Sequence, residues 1–363
     1  MSRIHIPVSG SLRVPDDRPR APIIDSHVHL YPASEQTSLA WYIPRGPLSG
    51  QFSVEQYRQD TSSNDPAPEG LIFIEADRKN GHSKNWARPL DEVLWARRIV
   101  TGQPKPNEGH NLGDADLCLA IIPWAPMDQG PEELEKYLNL VQNLAGLAWP
   151  KVKGFRFLLQ DKNNGTGLTD KFIGSLKLLG KKKFVFEVGI DAHQRDLKQM
   201  EEALEMIKRA HDVEKGKEDE KVVFILDHMC KPDLSASDEW RYNFVRILCN
   251  LSDYGGSNIY MKLSGGFSEL PVDERTLPDE KLYGILSRWL PMYSAFGPER
   301  VMFGSDWPVC NVGIGRGAWR KWYNMVRMMC YHSKLSLKEE TMIFSGTARK
   351  AYRLDDETPV VVV

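Results

Sequence analysis

Two histidines stand two residues apart at the point where the first apolar run of this chain ends. They belong to Asp25-Ser26-His27-Val28-His29. Alternate residues of a β-strand face the same side, so we expect His27 and His29 to converge on one point. Far along the chain, Asp306 follows another apolar run at residues 301–303. Two imidazoles and a carboxylate at strand ends could hold a metal ion, or could act on a polarised carbonyl with a water molecule.

The elements that must position these residues are short apolar strands alternating with amphipathic or charged helices. The predicted strands are residues 23–27, 70–75, 117–123, 152–157, 184–188, 222–227, 259–263 and 301–304. The predicted helices are residues 91–100, 131–146, 169–179, 194–211, 238–251, 279–296, 317–331 and 337–352. This alternation predicts an α/β fold with right-handed crossovers, and eight such units close a (β/α)8 TIM barrel. An open doubly wound sheet would instead carry a Gly-rich phosphate turn after its first strand, where this chain has its histidines.

Length and composition are consistent with one barrel domain over residues 1–363, in which residues 1–20 form an N-terminal extension. A net charge of −2 provides no basic face for nucleic acid. Five widely spaced cysteines without a C-x-x-C pair are typical of reduced thiols in a cytoplasmic enzyme. The first 22 residues lack the apolar stretch of a signal peptide or membrane anchor. We expect a small-molecule substrate, while self-association into a homo-oligomer stays open.

Two connections, residues 31–69 and 77–116, are longer than ordinary loops and follow the first two strands. In a barrel, loops that follow strands lie on the catalytic face. We therefore predict that they are lids, with Trp41 and Trp86 as lid aromatics. The remaining histidines in loops or helices are expected to be ordinary surface residues: His5, His82, His110, His211 and His332.

Polar residues gather at the carboxyl ends of the predicted strands, which is the end that carries the active site of a barrel. His228, at the end of the sixth strand, is predicted to be catalytic together with Asp306. The side chains predicted to contact a substrate are Arg156, Glu75, Glu187, Trp41 and Trp307.

Each of these assignments has an alternative in the barrel framework. Arg156 could pair with a carboxylate of the barrel instead of a substrate, and Trp307 could pack at the rim instead of lining the pocket. Asp227 is interpreted as a residue that orients a histidine. Lys262 is interpreted as a structural residue of the barrel wall, because its strand neighbours alternate with apolar residues.

Five short motifs, in this order and at barrel spacing, resemble the amidohydrolase superfamily. The resemblance is to the branch of sugar-acid lactonases and 2-pyrone-4,6-dicarboxylate lactonase, and the length, Trp-rich connections and extended N-terminus are most similar to its fungal L-rhamnono-gamma-lactonase-like members. The motifs are Asp25-Ser26-His27-Val28-His29, Gly154-Phe155-Arg156, Leu226-Asp227-His228 with Lys231-Pro232, Lys262-Leu263-Ser264-Gly265 and Phe303-Gly304-Ser305-Asp306-Trp307-Pro308.

The resemblance implies a hydrolase that opens a sugar-acid lactone such as L-rhamnono-1,4-lactone, in L-rhamnose catabolism. Asp306 would activate the water, while His228 would polarise the carbonyl. The resemblance also implies one zinc or manganese ion on His27, His29 and Asp306, although some lactonases of this branch act without a metal, with the imidazoles acting directly. The alternatives are a metal-dependent decarboxylase of the same superfamily, a 2-pyrone-4,6-dicarboxylate lactonase and a catalytically silent ligand-binding barrel.

A binuclear metal site is not expected in this chain. Many metal-dependent amidohydrolases hold two ions through a carbamylated lysine on the fourth strand and histidines from the fifth and sixth strands. Here the fourth-strand candidate is Lys153, which stands before Gly154 and is expected to point outward, and the fifth strand offers Glu187, with His193 several residues further on. His193 is expected to flank the helix that follows.

Overall fold

The computed structural model describes residues 14–15, 17–62, 66–80, 85–289 and 295–356. Most of the predicted N-terminal extension therefore lies outside the described residues, as do His5 and His82. Within the described ranges the chain forms eight strands that pair in parallel. They are β1 Ile24–Val28, β2 Gly70–Ile74, β3 Cys118–Ile122, β4 Gly154–Leu158, β5 Val185–Gly189, β6 Val223–Leu226, β7 Ile259–Leu263 and β8 Val301–Phe303.

The strands close into a barrel through two seams. The ladder runs in order from β1 to β3 and again from β4 to β8. Parallel bridges at Ile121–Val152 and Trp124–Arg156 join β3 to β4, and a bridge at Val28–Trp307 joins β1 to the segment after β8. The (β/α)8 barrel predicted from the alternation of strands and helices is confirmed, and each predicted strand coincides with an observed one to within a few residues.

Helices surround the barrel, and several differ in length from the predictions. Within the described residues they are α1 Val54–Thr61, α2 Ala87–Thr101, α3 Pro131–Ala145, α4 Asp170–Lys181, α5 Ala192–Arg195, α6 Lys198–Ala210, α7 Asp238–Gly255, α8 Asp279–Leu286, α9 Ala318–His332, α10 Leu337–Thr341 and α11 Thr347–Ala351. The predicted helix 194–211 is divided because Asp196 has a φ of 61°, which a right-handed helix cannot continue through. A π-helical turn over Met342–Gly346 similarly separates α10 from α11.

The interior of the barrel contains its own apolar layer, separate from the larger core between strands and helices. Tyr352 and Ala348, from the C-terminal helical segment, pack into this layer from one end. The strand residues of the layer are Ile24, Ile72, Ile74, Ala120, Ile122, Val185, Ile225, Tyr260 and Met302. Residues two positions further along a strand face the same side, and three of these positions hold Glu187, Asp227 and Lys262. The strand period therefore turns these charged side chains toward the barrel interior, above the apolar layer.

The two long connections differ in what they contribute. Trp41 and Leu48, in the first connection, line a cavity at the carboxyl ends of the strands. The second connection contains α2, and its Trp86 packs edge-on against Tyr137 at 5.3 Å between ring centroids, as part of the outer core. Trp86 is therefore a packing residue, which corrects its predicted position beside the substrate. Closure of either connection over a substrate stays a prediction.

Two histidines that the sequence assigned to the surface are buried. His110 lies against Trp95, with 5.2 Å between the ring centroids. His211 packs on Phe224, and its Nε2 is 2.8 Å from the carbonyl oxygen of Val222. His332 is half-buried beside Tyr283.

None of the described helices combines the length and the apolar character that crossing a bilayer requires.

Candidate active site

A cavity of about 310 Å³ lies at the carboxyl ends of the strands. Its walls combine apolar side chains with carboxylates, imidazoles and two cationic groups. The lining residues are His29, Trp41, Leu48, Ala76, Asp77, Arg156, Leu158, Gln160, Gly189, Asp227, His228, Lys231, Gly265, Ser268, Glu269, Asp306 and Val309. The volume lies in the range of small-molecule sites and is large enough for a single sugar ring.

The first histidine pair and the distant aspartate meet at the cavity floor. The Nε2 atoms of His27 and His29 are 3.2 Å apart. Oδ1 of Asp306 lies 3.4 Å from Nε2 of His29 and 3.8 Å from Nε2 of His27. Regular alternation would turn Ile24 to the face of β1 opposite to His27 and His29. The pairing of β1 with β2 shifts register between Asp25 and Val28, and this irregularity allows Ile24 to join the inner apolar layer while both histidines face the site. The convergence predicted from their spacing is therefore observed.

Asp25, whose role the sequence left open, ties β1 to the end of β8. Its carboxylate accepts hydrogen bonds from the backbone N–H of Ser305 at 2.8 Å, from Nε1 of Trp319 at 2.7 Å and from the hydroxyl of Tyr57 at 3.0 Å. Asp306 follows directly, with a φ of 62° that an L-residue seldom adopts. Asp25 thereby holds the strained turn that aims Asp306 into the cavity.

His228 begins a rare left-handed turn. His228, Met229, Cys230 and Lys231 have φ values of 49°, 56°, 62° and 50°. Left-handed conformation costs an L-residue roughly 1–2 kcal/mol, so the surrounding structure must impose this turn. It brings His228 and Lys231, one turn apart, into the same cavity while Met229 and Cys230 are buried. Strain of this kind concentrates at functional sites.

The glycine after Ser264 leaves room for the His228 ring. Nδ1 of His228 is 3.0 Å from Oγ of Ser264, and Nε2 is 3.9 Å from Oδ1 of Asp306. Gly265 has a φ of 66°, and a Cβ atom there would lie 2.8 Å from Nδ1 of His228. Only glycine fits this backbone conformation and this close approach.

The environment makes the rings of His27 and His228 neutral and keeps Asp306 ionised. Burial lowers the pKa of His228 to about 4, and burial together with Lys262 lowers the pKa of His27 well below its ordinary value. Burial alone would raise the pKa of Asp306, but His228 and His29 hold it below its ordinary value. At neutral pH the site therefore presents a carboxylate beside uncharged rings, a combination suited to a general base with hydrogen-bond donors or metal ligands.

Arg156 and Glu75 form a buried pair. Arg156 donates from Nε to Oε1 of Glu75 and from NH2 to the Glu75 carbonyl oxygen, both at 2.6 Å. Arg156 reaches the cavity wall, but Glu75 is fully buried and does not line it. Glu75 thus orients the guanidinium, which corrects its prediction as a substrate contact.

Trp307 and Glu187 also lie outside the cavity lining. Trp307 is fully buried between Phe52 and Tyr57, and its Nε1 donates to Asp60 at 2.8 Å. Glu187 lies deeper in the barrel and accepts hydrogen bonds from Lys262 and from the hydroxyl of Tyr352. Both predictions of substrate contact are corrected, because the strand ends turn these side chains toward packing and ionic partners instead. Trp41 does line the cavity, and its Nε1 donates to the Ala76 carbonyl at 3.0 Å.

The sequence analysis missed a polar group at the cavity mouth. Nζ of Lys231 donates to Oε1 of Gln160 at 2.7 Å and lies 3.8 Å from Oδ2 of Asp191. Oε2 of Glu269 is 3.3 Å from Nδ1 of His193, a ring that is otherwise partly exposed. The Asp-His-x-x-Lys-Pro motif contained the signal for Lys231, whereas Glu269 lies in a loop where nothing in the sequence singles it out.

The donor set at the cavity floor fits one divalent cation. Nδ1 of His29 donates to the Ile74 carbonyl at 3.1 Å, so its Nε2 lone pair faces the site. Nδ1 of His27 lies 3.3 Å from Oδ1 of Asp227, and donation there likewise frees its Nε2. Ligands about 2.1 Å from a zinc ion lie about 3.4 Å apart at tetrahedral angles, close to the separations of 3.2, 3.4 and 3.8 Å found here.

A second proton arrangement holds the same side chains without an ion. Nδ1 of His27 also lies 3.1 Å from Nζ of Lys262. If the ring accepts from Lys262, its proton is on Nε2 and is donated to Nε2 of His29. The sequence alternative of imidazoles that act without a metal therefore also has a consistent hydrogen-bond pattern.

Comparison with known proteins places this geometry in a family. The profile of the amidohydrolase family matches residues 173–354. L-rhamnono-gamma-lactonase of Scheffersomyces stipitis is 30% identical over 348 residues, which cover 92% of this chain and 98% of that protein. This chain belongs to the amidohydrolase family. The resemblance drawn from the five motifs is confirmed.

Two further family members extend the comparison. L-fucono-1,5-lactonase of Burkholderia multivorans is 27% identical over 249 residues, 67% of this chain and 74% of that protein. The crystal structure of an amidohydrolase from Burkholderia multivorans with bound zinc has a TM-score of 0.68 at 22% identity, and covers 92% of this chain and 99% of that one. This structural likeness shows that the two chains share the amidohydrolase fold.

Proposed function

We propose that this protein hydrolyses the ring ester of a sugar-acid lactone to the open acid. The observation that carries the proposal is the convergence of ionised Asp306 with His29 and His228, which line a polar cavity, and with His27, which is buried next to them. The lactonase names of two relatives, one of them matched over nearly the whole chain, support the same substrate class.

Asp306 acts as the general base in this proposal. Its carboxylate takes a proton from water while the water oxygen bonds to the lactone carbonyl carbon, and the carbonyl oxygen becomes an oxyanion. Collapse of the tetrahedral species breaks the bond from the carbonyl carbon to the ring oxygen. The proton held by Asp306 then passes to that oxygen, which leaves as the free hydroxyl of the acid.

His228 stabilises the oxyanion by hydrogen bonding, whereas His27 and His29 would do so through an ion that they hold. A Ser264 hydroxyl that donates to Nδ1 of His228 places the ring proton on Nε2, on the side of Asp306 and the cavity. Removing one oxyanion donor typically costs about 3–4 kcal/mol of transition-state stabilisation. A zinc or manganese ion held by His27, His29 and Asp306 would supply Lewis acidity and lower the pKa of water.

The charges around the cavity favour a polyhydroxylated ring over a dicarboxylate. Among the described lining residues, Arg156 and Lys231 are outnumbered by four carboxyl groups, those of Asp77, Asp227, Glu269 and Asp306. Carboxyl groups form hydrogen bonds with sugar hydroxyls, and the ionised ones repel a dianion. Burial raises the pKa of Asp77 to about 7 and that of Glu269 to about 6, so the repulsion comes mainly from Asp227 and Asp306 at neutral pH. Apolar walls from Trp41, Leu48 and Val309 suit a ring with one methyl group, so we propose an aldonolactone of the L-rhamnono-1,4-lactone kind.

The decisive experiment is a pH-indicator assay of acid release. The panel contains five- and six-membered aldonolactones and 2-pyrone-4,6-dicarboxylate, each measured before and after chelation of divalent metal. A parallel assay follows carbon dioxide release from aromatic carboxylates. The expected result is hydrolysis of a deoxyaldonolactone, with the pyrone at least about tenfold slower.

The other readings have distinct outcomes in the same experiment. Preference for the pyrone would identify a dicarboxylate lactonase, and carbon dioxide release without lactone hydrolysis would identify a decarboxylase. Binding of a sugar acid without turnover of any ester would identify a ligand-binding barrel. Each of these results would overturn the proposal.

A further inference from the structure

A second group of potential metal ligands lies directly beneath the cavity floor. The ligand atoms of His27, Glu187 and Asp227 lie within 4.8 Å of one another and are buried. This group shares His27 with the group formed by His27, His29 and Asp306. Two adjacent donor groups can hold two cations when the shared His27 ring gives up its Nδ1 proton to solvent and binds one ion through each nitrogen.

The second group already surrounds a positive charge. Nζ of Lys262 donates to Oε2 of Glu187, lies 3.1 Å from Nδ1 of His27 and is 3.4 Å from Oδ1 of Asp227. The Lys262 side chain is fully buried, and it reaches this point from β7 because it follows Tyr260 of the inner layer by two residues. An ammonium group therefore sits among the same three side chains that could ligate an ion.

Of the two carboxylates in this group, Glu187 accepts hydrogen bonds from Lys262 and Tyr352, whereas Asp227 has no short hydrogen bond within the part of the chain that the structure describes. The oxygens of Asp227 contact His27 at 3.3 Å, Lys262 at 3.4 Å and Arg156 at 3.7 Å, all longer than a good charged hydrogen bond. Neither oxygen has a closer hydrogen-bond partner among the described residues. The carboxylate of Asp227 is thus stabilised mainly by the positive charges of Lys262 and Arg156, as a carboxylate that binds a metal ion is stabilised by the charge of the ion.

We propose that Lys262 is a built-in cation that occupies the position of a second metal ion, so that the site accepts a single divalent ion. This revises the interpretation of Lys262 as a residue of the barrel wall. The inference concerns the same site as the proposed lactonase function and deepens it. Its test measures metal binding, so it can fail or succeed independently of whether any lactone is hydrolysed.

The test replaces Lys262 with alanine and counts bound manganese. Full-length protein is stripped with chelator, saturated with Mn²⁺ and dialysed, and its metal is measured by elemental analysis. We expect about one ion per chain in the wild type and about two in Lys262→Ala. Mn²⁺ ions held close together should also broaden each other's electron paramagnetic resonance signal, and this broadening should be confined to the alanine variant.

Folding provides a second readout, because the alanine variant leaves buried carboxylates without their cation. The thermal midpoint of Lys262→Ala should fall in chelator and recover when Mn²⁺ is added. Lys262→Met fills the same space without charge, so its lowered midpoint should not recover. Lys136→Ala removes an exposed lysine paired with Glu133 and serves as the control for metal background.

Several results would overturn the proposal. Lys262→Ala could fold and bind one ion as the wild type does, or it could stay unfolded at every Mn²⁺ concentration. The proposal would also be contradicted if Mn²⁺ raised the thermal midpoint of Lys262→Met as much as that of Lys262→Ala. The methionine side chain would then not be occupying the position of the ion. Two ions per chain in the wild type would contradict it directly.

Discussion

Replacing Asp306 with asparagine tests the proposed general base. The side chain is 4% exposed and has Oδ1 within 3.9 Å of three imidazole nitrogens. Asparagine keeps the shape of aspartate, so the packing around the turn at Asp306 should be retained. The change removes the carboxylate whose oxygen faces the Nε2 atoms of all three histidines. General-base catalysis contributes about 10²–10⁴-fold, which corresponds to about 2.7–5.4 kcal/mol of barrier at 1.36 kcal/mol per tenfold.

The assay compares turnover of the best lactone by wild type and Asp306→Asn at saturating substrate. Metal content and thermal midpoint are measured on the same samples, because Asp306 is also a proposed metal ligand. Asp60→Asn is the matched control, since Asp60 is a nearby carboxylate that accepts from Trp307 and Asn311 without lining the cavity. A folded Asp306→Asn protein with wild-type metal content and turnover within about tenfold would refute the assignment.

Four further predictions concern the metal, the cavity wall and the cavity mouth. Untagged protein should contain about one zinc or manganese ion per chain by elemental analysis, and the His29→Ala variant should lose this ion. Full activity of metal-free protein would instead favour catalysis by the imidazoles alone. Lys231→Met should raise KM more than it lowers kcat, because Lys231 lines the cavity, donates to Gln160 and acts on Asp306 only through its charge. An unchanged KM would remove it from substrate binding. Arg156→Ala should lower the free energy of unfolding by about 3–5 kcal/mol in denaturant titration, because it leaves the buried Glu75 carboxylate without its cation and with only the backbone N–H of Asp77 as a donor. A loss below about 1 kcal/mol would contradict this pairing. Burial raises the pKa of Glu269 to about 6, so its favourable contribution is complete below the ordinary value of 4.5 and is lost as the pH rises through 6. Glu269→Gln should therefore gain stability relative to wild type between pH 5 and pH 7.5, by roughly 1 kcal/mol, and a pH-independent difference would contradict this.

The motif residues of the site could be predicted from the sequence because their placement depends on local rules. A strand turns alternate residues to one side, which is enough to bring His27 and His29 together. Parallel strands in a barrel have their carboxyl ends at one rim, which is enough to bring Asp306 and His228 to the same cavity from the far end of the chain. Both rules need only the strand positions, and the apolar runs indicate those positions.

The partners of these residues were decided by the tertiary structure. Whether Arg156 faces a substrate or Glu75 depends on contacts between strands 81 positions apart in sequence. Lys262 meets His27 across 235 positions, and neither residue type nor strand alternation reveals whether a lysine faces the barrel interior or the helices. A charged group that is buried in a barrel loses its hydration, and this loss is offset only when an opposite charge lies next to it. The opposite charge can come from any strand, however distant in sequence. The sequence by itself therefore determined the barrel and which motif side chains meet at the ends of its strands. Only the closed barrel determined which charges neutralise one another beneath them.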